Sequence, residues 1–234
     1  MTQQRIAGII GGLGPQATVF FMQQIIQKTP ATDDAAHIHM IIDNNPHIPS
    51  RIKAIIEKTG EDPTPALMEA ARRLERAGAH FLAMPCNTAH FYHRQIQSSV
   101  SIPFINMVEL VSKTIICKQP DITRVGLLAS NALQIIHLYE PFLERHNIKI
   151  VYPPAGLQAG VMNLIKAVKA GQETTKDVAA VNQAIEALEA DNVGALIIAC
   201  TELSVMANRL RAQAALYDAS DILANEVLRQ VRDS

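Results

Sequence analysis

GAHFLAMPCNT at residues 78–88 and NVGALIIACTE at residues 192–202 are the two stretches whose reading decides the fold. Each starts on small residues, runs through a strand-length apolar segment, reaches a cysteine and turns polar. A short apolar run bounded by turn residues reads as a buried strand, so His80–Met84 and Gly194–Ala199 are strands that deliver Cys86 and Cys200 just past their C-terminal ends. An amphipathic helix precedes each. In residues 62–78, Leu67, Ala71 and Leu74 share a face and Gly78 sits near the helix end; in residues 174–190, Val178, Val181, Ile185 and Leu188 share a face.

Further out the same grammar continues. Strands are expected over Ile6–Gly11, His37–Asp43, Val125–Ala129 and Ile148–Tyr152, with short ones at Phe104–Ile105 and Leu216–Tyr217. Helices are expected over Gly14–Lys28, His90–Ser98, Gly160–Ala170 and Ser220–Arg232, and over Ala132–His146 with a break or kink at Pro141. Alternating strands and helices imply a parallel sheet covered by helices. Two rounds of it predict an α/β fold of two similar lobes, each a short parallel sheet flanked by helices, with the active site in the cleft between them. The expected lobes are residues 1–103 plus 213–234, carrying Cys86, and residues 104–212, carrying Cys200.

The bulk properties exclude several classes. The chain has 234 residues, 48% of them apolar, and a formal net charge of −1. That balance gives no electrostatic reason to bind nucleic acid or an anionic membrane. No apolar run approaches the roughly 18 residues of a membrane span, and Met1–Arg5 lead directly into a strand-like run without the features of a signal peptide. A cytoplasmic protein is expected. Three cysteines, an odd number and widely spaced, make no disulfide framework and should be free thiols in a reducing compartment.

Ligands of open α/β sheets bind beyond the carboxyl ends of the strands, where both cysteines lie. Asn87-Thr88 and Thr201-Glu202 read as helix starts, whose unpaired N–H groups and partial positive charge favour a thiolate and bind a carboxylate. A thiol pKa lowered by about one to two units would make each cysteine a competent base. Two opposed thiols are what stereoinversion at a carbon acid requires: one removes a proton, the other returns one to the opposite face.

At this point the chain resembles a known family. GIIGGLGPQAT (8–18), NNPHIPSR (44–51), GEDPTPALMEAARRLERAGAHFLAMPCNTAH (60–90), IPFINMVE (102–109), VKAG (168–171) and IIACTEL (197–203) look like the aspartate/glutamate racemases, in their expected order and over nearly the whole chain. The resemblance implies that Cys86 and Cys200 are the catalytic pair, with Cys200 leaning toward the L form. It implies that Arg51 and Lys169 hold the side-chain carboxylate of an acidic amino acid, and that Asn87, Thr88 and Thr201 hold the α-carboxylate. It further implies a homodimer using neither pyridoxal phosphate nor a metal. One segment departs: similar chains read Leu-Ala-Thr-x-Gly-Thr where this one reads Leu128-Ala129-Ser130-Asn131-Ala132-Leu133, so Ser130 and Asn131 are the remaining donors there. Because of it, hydantoin racemases, maleate isomerases and arylmalonate decarboxylases stay open as alternatives, as does a small-anion binder without turnover.

Blander readings accompany the others. Gly12-x-Gly14-x-x-Ala17 with Asp43 mimics a dinucleotide fingerprint, but Gly12 is better read as letting the backbone approach a small ligand. Cys86, His90 and His93 could form half a metal site; without a fourth ligand, His90 reads as a packing or hydrogen-bonding residue beside Cys86. Glu202 reads as a helix-start carboxylate without chemistry, and Cys117 as a small core residue.

Overall fold

The computed structural model describes residues 4–232. Residues 1–3 and 233–234, the outermost residues of the first expected lobe, lie outside the described residues. The chain is α/β with two separate, wholly parallel sheets, and it divides into two compact units. One unit runs through Met107 and resumes at Asp221; the other spans Val108–Ser220. Among the described residues no helix is long and apolar enough to cross a membrane.

In the first unit, β1 (Ala7–Gly11) lies between β2 (Met40–Asn44) and β3 (Phe81–Ala83). The β1 strand is buried throughout, which explains its unbroken apolar run. The turn after it opens α1 (Pro15–Lys28), with proline in the first turn, where its missing N–H costs nothing. The face of α2 (Thr64–Arg76) carrying Leu67, Ala70, Ala71 and Leu74 is buried. Burying each leucine contributes about 1.5–3 kcal/mol. A 3-10 segment (Thr88–Tyr92) and α3 (His93–Gln97) share the residues expected to form one helix. A π-helical segment over Lys53–Glu57, which no sequence pattern announces, follows the proline-flanked loop.

In the second unit the order is β5 (Lys149–Val151), β4 (Arg124–Leu128), β6 (Ala195–Ile198), β7 (Ala215–Asp218). Its helices are α4 (Met107–Lys118), α5 (Asn131–Ile136), α6 (Glu140–Leu143), α7 (Ala155–Ala170), α8 (Thr175–Ala190) and α9 (Thr201–Val205), and α10 (Ala219–Arg232) leads back to the first unit. The expected helix over 132–146 is broken: α5 stops at His137, which takes a left-handed conformation, and α6 restarts with Pro141 in its first turn. Thr174 caps α8 through a reciprocal pair with Asp177, the arrangement that satisfies two orphan N-terminal donors at once.

The duplication reaches individual contacts. A Cβ added at Gly8 in β1 would strike Leu82 at 2.7 Å and approach Leu74 at 3.3 Å. The same atom added at Gly126 in β4 would strike Leu196 at 2.5 Å and approach Leu188 at 3.1 Å. In both units a helix leucine and a strand leucine close on a glycine of the sheet's first strand, and each leucine pair stands the same distance before its cysteine.

Two expected lobe boundaries are corrected. Phe104 bridges to Leu82, with Leu82 N donating to Pro103 O and Ile105 N to Leu82 O, so Phe104 and Ile105 join the first sheet and the first unit extends through Met107. Residues 215–218 pair in full parallel register with β6, so they belong with the second sheet and not the first lobe. Strand pairing partners are not encoded in a short apolar run, so neither Phe104–Ile105 nor Leu216–Tyr217 announces its sheet.

Candidate active site

Each sheet brings its cysteine to the same edge. In the first unit Ile9 pairs with Ala83. Three residues beyond that pair on each strand stand Gly12 and Cys86. In the second unit Leu128 pairs with Ile198, and Ala199 N donates to Leu128 O at 2.9 Å. Two residues beyond that pair stand Ser130 and Cys200, on strand ends whose parallel spacing is about 4.8 Å.

The first-unit site is assembled on the β1 turn. Gly12 has φ +84, and a Cβ there would meet the Asn45 backbone at 2.2 Å. The turn therefore lies directly against the segment that follows β2, which carries Arg51. The Gly12 N–H donates to Thr18 Oγ1 at 2.9 Å, so this amide is engaged within the turn. Arg51 folds back on the same place: its guanidinium donates to Leu13 O at 3.1 Å and Pro49 O at 3.2 Å. Its Nε is buried without a hydrogen-bond partner, and no ion pair to Arg51 is formed among the described residues. Cys86 is buried in an apolar cluster with Leu13, Ile48, Met84, Ala89 and Tyr92. Asn87 is buried beside it and Thr88 is partly exposed.

His90 fixes the cysteine's main chain. Its Nδ1 lies 2.8 Å from Cys86 O, and its Nε2 lies 3.4 Å from Ile105 O. Both partners are acceptors, so a neutral ring donates to the nearer one and carries its proton on Nδ1. Burial, more than the nearby His93, pushes the His90 pKa down to about 4. The His90, His93 and Phe104 rings stack on one another, and His93 Nε2 is 3.1 Å from Phe104 O. The imidazoles are thus used for packing and main-chain bonds. Among the described residues no group of three or more His, Cys, Asp or Glu is placed to hold a metal. An unfolded histidine titrates near 6.5, so the folded state gains stability from keeping His90 neutral. That gain is complete above about pH 6.5 and is lost as the pH falls toward 4, a difference of about 3 kcal/mol. Thermal melting of His90→Gln should lose less between pH 6.5 and 4 than melting of the unsubstituted protein; equal acid sensitivity would contradict this assignment.

The second-unit site differs from expectation at the sulfur. Cys200 precedes α9, but its Sγ donates to Glu202 Oε2 at 3.0 Å. Burial, then the Glu202 charge and hydrogen bond, raise the Cys200 pKa well above an ordinary thiol; Lys169 opposes this. The sequence predicts a thiol depressed by the helix start; α9 has one turn, and burial together with the Glu202 carboxylate outweighs it. The Lys169 ammonium, in the last turn of α7, lies 3.5 Å from Glu202 Oε1. Cys200, Glu202 and Lys169 therefore form a chain from thiol to carboxylate to ammonium. Glu202, which read as a carboxylate without chemistry, is the thiol's direct partner; the Cys-x-Glu spacing at a helix start was the available signal. Thr201 and Ser130 are buried, and the Ser130 hydroxyl has no partner. Cys117 is exposed on α4 rather than in the core. In the dinucleotide-like reading Asp43 should await a ribose, but it pairs with Arg73 at 2.6 Å.

The charges around Cys200 give opposite-signed expectations. Glu202→Gln should move the pH midpoint of Cys200 alkylation down, because it removes the neighbouring negative charge. Lys169→Met should move it up, because it removes the cation that favours the thiolate. Midpoints shifting in the same direction in mass-resolved alkylation profiles would sink this account of the thiol.

Residues 10–227 match the model of the Asp/Glu/hydantoin racemase family, and the chain belongs to this family. Membership makes it a racemase, an isomerase by class. Among curated proteins it is 28% identical over 225 residues to the broad specificity amino-acid racemase RacX of Bacillus subtilis, covering 94% of this chain and 96% of that one. Among solved structures it resembles the aspartate racemase of Picrophilus torridus, with 31% identity, a TM-score of 0.79, and coverage of 97% and 94% of the two chains. The fold also matches glutamate racemase of Francisella tularensis solved in complex with D-glutamate, at 16% identity and a TM-score of 0.67, over 100% of this chain and 82% of that one.

Proposed function

We propose that this protein interconverts the L and D forms of an acidic amino acid, aspartate or glutamate, by proton transfer at the α-carbon with Cys86 and Cys200 as the two acid/base groups. The observation that supports this most is the equivalence of the thiols within the duplicated unit. Each follows the strand that pairs with its sheet's first strand, at the edge where α/β proteins bind ligands. One thiolate takes the α-proton and the Cα–H electron pair delocalises into the carboxylate. The other thiol then delivers its proton to the opposite face, and the two exchange roles in the reverse direction. Cys200, held protonated by burial and by Glu202, starts as the donor.

Arg51 supports an acidic side chain: its guanidinium is anchored by carbonyls and keeps a buried Nε free, and a guanidinium pairs well with a carboxylate. Asn87, Thr88, Ser130 and Thr201 are the hydrogen-bonding groups at the two edges, with Lys169 as a second cation. The reaction so described runs on the chain's own thiols without pyridoxal phosphate.

The test is inversion of single enantiomers of aspartate, glutamate and neutral amino acids, followed by chiral chromatography with and without hydroxylamine. Inversion of the acidic pair, insensitive to hydroxylamine, is the expected result. Inversion confined to neutral amino acids would overturn the substrate assignment, and quenching by hydroxylamine would overturn the thiol-only chemistry.

A further inference from the structure

We propose that Gln158 is a positioning residue that sets the Ser130 hydroxyl as a substrate-binding group beside Cys200, an inference that rests on the racemase reading of this edge. Gln158, near the start of α7, is 9% exposed. Its Nε2 donates to Ala129 O at 2.9 Å and to Asn131 Oδ1 at 2.8 Å. These are the two residues that flank Ser130. One carboxamide therefore clamps the segment on both sides of the serine and spends both of its N–H groups doing so. The opposite amide orientation would face oxygen with oxygen at both contacts, so the orientation is determined by its partners.

Ser130 itself is 5% exposed, in extended backbone immediately before α5, and its hydroxyl makes no hydrogen bond in the protein. A buried hydroxyl without a partner is costly, and a fold that clamps it in place must gain from holding it there. Register places it on the strand end beside Cys200, where an amino acid carrying its α-carbon to the sulfur would present polar groups to it. Asn131 is the second half of the clamp: its side chain is held by Gln158 and its N–H points to Met162 Sδ at 3.4 Å. Asn131 Oδ1 is thus engaged in shaping the segment, while the Ser130 hydroxyl and Gln158 Oε1 are buried without a partner; of these two only the hydroxyl can donate to a substrate carboxylate.

The experiment uses Ser130→Ala, Gln158→Met and the double variant in the full chain. It follows α-proton exchange with the preferred amino acid, melting temperature, and backbone hydrogen exchange over residues 129–133. Ser130→Ala should raise KM about 10-fold or more, the loss expected of a hydrogen bond to a charged ligand group. Gln158→Met should raise KM by a similar factor with kcat within a few-fold, and the double variant should be no worse than either single one. Backbone exchange should quicken in Gln158→Met and stay unchanged in Ser130→Ala. Multiplying KM effects in the double variant, or a folded Gln158→Met with unchanged KM, would overturn the proposal. If the unsubstituted protein exchanges no α-proton with any amino acid tried, the racemase reading fails. The clamp is then judged by backbone exchange alone, and unchanged protection in Gln158→Met refutes it.

Discussion

Cys86→Ser and Cys200→Ser should each reduce the inversion rate by about 10³-fold, within the range that a positioned acid/base group supplies. A serine hydroxyl is nearly isosteric with the thiol but far too weak an acid to cycle between protonated and deprotonated forms near neutral pH. The loss should fall on kcat, with KM changed only a few-fold, because neither sulfur is assigned to hold substrate. Cys86 lies in an apolar cluster, so its serine variant also buries an unmatched hydroxyl, at a cost of about 1–3 kcal/mol. Melting temperature must therefore be measured alongside rate. Cys117→Ser is the internal control: that thiol is exposed on α4, in the last turn of the helix, and its loss should leave both kcat and KM unchanged. Steady-state rates from each enantiomer decide the matter; a folded variant at Cys86 or Cys200 that keeps a tenth or more of the rate would remove that residue from the chemistry.

Gly12→Ala should damage both the fold and the site. The residue sits at φ +84, a conformation that L side chains avoid, and its Cβ would overlap the Asn45 backbone at 2.2–2.6 Å. No flexible side chain is there to move aside, so the β1 turn or the segment after β2 must shift. Strain of this kind costs about 3 kcal/mol, which for a chain of this size corresponds to a melting temperature lower by about 6–12 °C. Because that segment carries Arg51, whose guanidinium is braced against Leu13 O, KM for an acidic substrate should rise as well. Gly78→Ala is a useful comparison: φ there is +98, yet nothing stands within 4 Å of the added Cβ. It should lower the melting temperature without raising KM. Equal KM values for the two variants would show that the Gly12 contact does not set the substrate end of the site.

Most of the fold was legible because its signals are local. Buried parallel strands show as unbroken apolar runs such as Phe81–Ala83 and Ala195–Ile198, and α2 and α8 show as single apolar stripes. The duplicated helix-strand-cysteine unit makes the two cysteines stand out in the sequence itself. Pairing was less legible. Ala215–Asp218 joins the second sheet because β6 offers it an edge, a fact held by the partner strand and not by the four residues. At the site, residue identities were readable but their environments were not. A helix start beside Cys200 argues for a more acidic thiol, whereas burial of the sulfur, reinforced by the carboxylate two residues on, reverses the direction. Gln158 gave no signal because its importance comes from where α7 begins relative to the end of β4, which depends on packing between segments distant in sequence.

Initial-rate inversion in deuterium oxide tests the two-thiol account most directly. Starting from one protiated enantiomer, the product should carry deuterium at Cα from the first turnovers, because the reprotonating thiol has equilibrated with solvent, while the recovered starting enantiomer stays protiated. Deuterium entering the unconverted enantiomer as fast as the product forms would instead mean a single group serving both faces, and opposed cysteines could no longer be the basis of the reaction.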